Sequence, residues 1–189
     1  TTKPSPSQPS TTISIIRPLP QVRRLVAEHL AARSLFQDLL LGVRSPSVVV
    51  VPHTSRYQNL KDFVEGSKQG KGFNFATAGS GSTPHFVAEI LNVKYGARLQ
   101  SVPYKSGSES TTAVMGGQVE GTSEASIIAL PHILHDGKFK ALATTWTQRL
   151  SAYPQLPTAI EQGYPEVKIA HWAGVHAPKG TPPEIMDKV

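Results

Sequence analysis

The chain has 189 residues, 39% of them hydrophobic, enough for one ordinary domain or two small lobes and outside the composition of disordered chains. Nineteen Lys and Arg against 13 Asp and Glu leave a formal charge of +6, but the basic residues are scattered and no run reaches the length of a nucleic-acid tail. The lack of cysteine excludes disulfides, thiolate zinc sites and cysteine nucleophiles, and no apolar stretch approaches the roughly 18 residues of a membrane span.

In chain order, residues 1–11 are rich in Pro and Ser without the apolar middle of a signal peptide, so they read as a flexible lead-in. Residues 12–16 form a β-branched run closed by Arg17-Pro-Leu-Pro20, a strand ending in a proline turn. Residues 22–33 place Val22, Leu25, Val26, His29 and Leu30 on one helical face. The run from Ser47 to Val51 is apolar after its serine and stops at Pro52, the pattern of a parallel strand covered on both faces. A short helix is expected over 59–68.

From Gly72 a strand-loop-helix rhythm sets in. Strands are predicted at 73–77, 98–102, 119–123 and 139–145, with helices at 84–93, 108–115 and 127–135, each helix followed by glycine within a few residues. This alternation predicts a three-layer α/β architecture with a largely parallel sheet. After Pro154-Gln-Leu-Pro157 come one helical turn at 158–162 and an extended run at 167–177. Thr181-Pro-Pro-Glu184 starts another helix, and its early end at Val189 suggests a chain cut short.

Parallel α/β sheets bind ligands where strand ends open onto helix starts. Residues 77–84, Thr-Ala-Gly-Ser-Gly-Ser-Thr-Pro, lie at such a place. Gly79 and Gly81 permit a sharp backbone turn, Ser80, Ser82 and Thr83 add hydroxyls, and the helix N-terminus supplies unpaired N–H groups that favour an anion. By pattern alone the same residues also suit a plain tight connection. The phosphate P-loop, the dinucleotide G-x-G-x-x-G fingerprint and the G-x-S-x-G nucleophile elbow are all excluded by spacing.

Lys105 lies in the next strand-end turn and Glu124 just beyond the third strand, both expected on the same sheet edge. The lysine is either a carboxylate partner or a solvated turn residue. The glutamate either selects a ligand hydroxyl or ammonium or caps the following helix. His132 and His135 are three apart on one helix but lack further placed ligands, so no metal and no cofactor is expected. His85 sits near Ser82 without an orienting acid, and Trp146 and Trp172 read as packing residues.

Several stretches taken together resemble one family. They are Phe73-Asn-Phe-Ala-Thr-Ala-Gly-Ser-Gly-Ser-Thr-Pro-His85, Val102-Pro-Tyr-Lys105, Gly116-Gly-Gln-Val119, Ala129-Leu-Pro-His-Ile133 and Gly137-Lys-Phe-Lys-Ala-Leu-Ala143. Leu156-Pro-Thr158, Gly163-Tyr-Pro165 and Ala177-Pro-Lys-Gly-Thr-Pro182 continue in the same order. In order and spacing the chain from about residue 35 to 189 resembles the substrate-binding proteins of tripartite tricarboxylate transporters, the TctC-like or Bug-type periplasmic receptors.

The resemblance implies a two-lobed, type II periplasmic-binding-protein-like fold, each lobe a mainly parallel sheet flanked by helices. Residues 72–164 would form the second lobe, and 12–71 with 165–189 an incomplete first lobe. It implies periplasmic capture of a di- or tricarboxylate, delivery to membrane permease subunits, no catalysis, no nucleic-acid partner and a monomer. Carried over by position, Thr77, Ala78, Gly79, Ser82 and Thr83 hold the ligand, with Pro18 and Pro20 in the facing loop. The family's glycine pair is absent after Pro20, and Ser106 stands where glycine is usual. A hydrolase using Ser82, or a truncated relic that binds nothing tightly, are the alternatives.

Overall fold

A computed structural model describes residues 36–186; Pro18, Pro20 and the elements expected at 12–16 and 22–33 lie outside the described residues. Leu40–Val175 forms one compact unit, and the described residues before 40 and after 175 belong to another, which includes the short helix Pro183–Met186.

The Leu40–Val175 unit holds a sheet of strands β1 (Phe36–Pro52), β2 (Phe73–Thr77), β3 (Leu99–Pro103), β4 (Gly121–Ala125), β5 (Phe139–Thr144) and β6 (Ala170–Pro178), of which β1 and β6 run on past its limits. The order is β3-β2-β4-β1-β5, with β6 paired to β1. Its helices are α1 (Leu60–Ser67), α2 (Thr83–Tyr95), α3 (Gly107–Met115) and α4 (Ser126–Leu134).

β2 runs parallel to β3 and β4, whereas β1 is antiparallel to both β4 and β5. Four strands therefore share one direction and β1 opposes them. This corrects the parallel strand expected at 47–51: a continuous apolar run reports burial on two faces, and says nothing about strand direction. The burial itself is as expected. Val49 and Val51 join Leu60, Phe63, Val64, Phe75, Val87 and Leu91 in a core under α1 and α2. Val48 and Val50 join Ala76, Val114, Ala129 and Phe139 in a second core under α3 and α4. The pleat sends alternate valines to opposite faces, so all four must be apolar.

This shared packing extends the compact unit beyond 72–164 at both ends. β1 between β4 and β5, α1 beneath it, and Ala159, Tyr164 and Val167 complete the same cores. Sequence order does not reveal this, because a central strand can come from outside the strand-helix alternation. The helical turn expected at 158–162 is instead a pair of turns, with Gln162 N–H donating to Ala159 O and Gly163 N–H to Ile160 O. Thr158 and Glu161 cap each other reciprocally, Thr158 N–H to Glu161 Oε2 at 2.7 Å and Glu161 N–H to Thr158 Oγ1 at 3.0 Å.

Helix limits follow their caps. Asn59 accepts from Asp62 N–H at 2.8 Å to start α1, Ser106 accepts from Glu109 N–H at 3.2 Å to start α3, and Gly96 at φ +67° ends α2. Ser106, unusual beside the family pattern, is therefore the α3 N-cap.

Candidate functional site

The carboxyl ends of β2, β3 and β4 point to one edge of the sheet, and the predicted loop emerges there. Thr77 ends β2 and is buried, Ser82 is the α2 N-cap residue and Pro84 sits in the first turn. Gly79 at φ +95° and Gly81 at φ +81° hold the loop in the left-handed region, with open space where a Cβ would stand.

The loop is braced from within. Ser82 Oγ donates to Gly79 O at 2.7 Å, and Gly81 N–H donates to His85 Nδ1 at 3.1 Å. Ser82 therefore does not cap α2 with its side chain. Among the described residues no partner takes the N–H groups of Ala78, Gly79, Ser80 or Thr83. A run of unpaired amides at the positive end of a 13-residue helix suits an oxyanion.

His85 is thus a loop brace. It is not a base for Ser82, because its Nδ1 is occupied by Gly81 N–H while the Ser82 proton goes to a backbone carbonyl.

The second turn lies beside the first: Tyr104 N–H donates to Thr77 O at 2.8 Å. Lys105 follows with an exposed side chain, and its own N–H donates to Glu109 Oε2 at 3.0 Å. A shallow open groove lined by Tyr104, Ser108, Glu109, Thr112, Ala113 and Gln118 runs along α3, and no predicted ligand residue lines it.

Glu124 is at the same edge but on the other face from Phe75. It is 3% exposed, accepts from Ser110 Oγ at 2.9 Å, and lies over Gly107. It does not cap the following helix, whose N-cap is Ala125 without a side-chain bond. Sequence placed the residue at the correct edge without fixing which face it takes.

Burial pushes the Glu124 carboxyl above its usual 4.5, against hydrogen bonds from Ser110 and Thr122 that hold it down. A raised folded pKa gives stability that is complete below about 4.5 and is lost as pH rises through the folded value. Glu124→Gln, which keeps an acceptor for Ser110 and has no charge, is expected to gain melting temperature relative to wild type between pH 4 and pH 8. A constant difference across that range would contradict the buried carboxyl.

Sequence reasoning missed three further polar residues at this edge. Ser47 and Ser123 are fully buried, with their hydroxyls 2.5 Å apart, and His171 Nε2 lies 3.4 Å from Ser47 Oγ. The β1–β4 register, with Val49 opposite Ser123, brings the two serines together, and the pairing of β6 with β1 adds His171.

The family model described as the tripartite tricarboxylate transporter family receptor matches residues 30–189. The chain belongs to that receptor family. Among relatives of this receptor-family chain, protein BugT of Bordetella pertussis is 31% identical over 169 residues, covering 89% of this chain and 50% of BugT. Among solved structures, MatC from Rhodopseudomonas palustris with bound malate is 27% identical at a TM-score of 0.76, covering 81% of this chain and 52% of that one. The R. palustris protein Rpa4515 with adipate is 26% identical at a TM-score of 0.75, covering 82% and 52%. The mixed α/β sheet with flanking helices is that of the two-lobed periplasmic binding proteins. This receptor-family chain spans about half the length of the relatives it matches. Among the described residues no helix is long and apolar enough to cross a membrane.

Proposed function

We propose that this chain is the ligand-gripping portion of an extracytoplasmic solute receptor that binds a small di- or tricarboxylate without transforming it. The observation that carries the reading is the run of unpaired backbone amides in the 77–84 loop, held open by two left-handed glycines at the start of α2. A carboxylate accepts several N–H bonds, and charge-assisted bonds of this kind are roughly twice as strong as neutral ones. Malate and adipate in two related structures are acids of this class.

In this reading Thr77, Ala78, Gly79, Ser82 and Thr83 form the grip. Ser82 acts by bracing Gly79, and the Lys105 ammonium adds positive charge from the adjacent turn. Glu124, turned toward α3, shapes the site through packing. The first lobe, to which the resemblance assigns Pro18 and Pro20, would close over the acid and exclude water, after which a permease would receive it in the periplasm. A monomer without nucleic-acid partners suits this role. Ester hydrolysis by Ser82 is disfavoured, because its hydroxyl proton is directed to Gly79 O.

The test is a melting-temperature screen of the purified chain against di- and tricarboxylates, with native mass spectrometry of the complexes. At a ligand concentration 100 times Kd, stabilisation of about 2.7 kcal/mol is expected. A panel in which monocarboxylates, dicarboxylates and tricarboxylates all leave the melting point unchanged would contradict the reading.

A further inference from the structure

Ser47 is a junction of four strands. Its hydroxyl approaches Ser123 on β4 and His171 on β6, and lies 3.2 Å from the Glu124 carbonyl. Its carbonyl accepts from Thr145 N–H at 2.8 Å and from the Thr144 and Thr145 hydroxyls at 3.2 Å each. Thr145 Oγ1 also reaches Ile169 O at 2.6 Å, and Ile169 N–H returns to Thr145 O at 3.0 Å. The entry to β6 is thus tied to the end of β5 and the middle of β1.

The position of this junction gives it significance. The compact unit begins at Leu40, within β1, and ends at Val175, within β6. β1 and β6 pair with each other, and they are the two strands that carry the chain into and out of the unit. Ser47 and His171 lie just inside those two limits.

We propose that the Ser47–Ser123–His171 contact is a proton-sensitive latch on the two strands that connect the Leu40–Val175 unit to the rest of the chain. A neutral imidazole fits here, with hydroxyls and backbone around it. An imidazolium would bring a charge and two donors into a place where β1 offers the Ser47 hydroxyl and β4 offers Ser123. Among the described residues, none of these elements turns a carboxylate toward it: Glu124 on β4 points to Ser110 on the other face, and Glu166, before β6, lies exposed against Tyr95. Burial accordingly holds His171 below its usual 6.5, against a bond to the Ser123 backbone that raises it.

The sign follows. Well above pH 6.5 the ring is neutral in folded and unfolded chains alike, and the latch is intact. As pH falls through 6.5 the unfolded chain takes the proton first, so the latch loses stability on the acid side.

The experiment uses the 189-residue chain. Histidine ring resonances are followed by NMR from pH 8 to 5, and hydrogen exchange over residues 44–48 and 169–175 is compared at pH 7.5 and 5.5 after correction for intrinsic rates. The expected result is a His171 titration below 6.5 and acid-enhanced exchange in both segments, rising by up to about tenfold per pH unit. The enhancement is absent in His171→Gln. A His171 titration at or above 6.5, or an equal acid response in His171→Gln, overturns the latch. If His171→Gln does not fold, the wild-type titration decides alone. Carboxylate affinity does not enter either readout, so the latch and the ligand grip can fail separately.

Discussion

Replacing Gly79 and Gly81 together by alanine is expected to lower carboxylate affinity by about a hundredfold or more while leaving the fold intact. Both residues have φ in the left-handed region, at +95° and +81°, and an L side chain there costs about 1–2 kcal/mol each. Neither added Cβ meets a neighbour, so the penalty is one of backbone conformation and not of collision. The chain can relieve it by rotating the peptides, which turns the free N–H groups away from the ligand and breaks the Ser82 Oγ to Gly79 O brace. Calorimetric titration with malate or adipate, beside a melting curve of the unliganded variant, separates the two effects. Affinity within a factor of three of wild type would show that the loop amides do not hold the acid.

The largest stability loss is expected from Phe63→Ala. Phe63 is fully buried and packs on Tyr57, Phe73 and Phe75 at centroid distances of 5.7, 5.1 and 6.4 Å. It fills the centre of the core beneath α1, where β1 and β2 meet the helix layer. Truncating a buried phenylalanine costs about 3–5 kcal/mol, through lost transfer energy and the cavity left behind. For a chain of this size that corresponds to a melting point lower by roughly 10 °C. Urea unfolding measures it directly, and a loss under 1 kcal/mol would mean that the aromatic cluster is not packed as described.

Local features were legible wherever one residue type had one physical use. Glycines after helices and the Gly79–Gly81 turn declare themselves in sequence, because few residues meet those backbone demands, whereas the caps at Asn59 and Ser106 emerge only from the structure. The 77–84 loop was therefore expected where it stands, between β2 and α2. Direction and parity were not legible. Val48 to Val51 is apolar whether the strand runs with or against its neighbours, and only pairing with β4 and β5 reveals that it runs against them. Glu124 was assigned to the right edge, yet whether it faces the loop or α3 depends on the pleat of β4. Ser47, Ser123 and His171 are far apart in sequence, and serine beside an apolar run is common, so nothing linear joins them.

Amide chemical-shift mapping with malate or adipate tests the central claim most directly. Saturable shifts at Ala78, Gly79, Ser80, Gly81, Ser82 and Thr83, with smaller ones at Tyr104 and Lys105, are the predicted result. Shifts confined to the α3 groove around Ser108, Thr112 and Gln118, with the 77–84 loop unmoved, would contradict it.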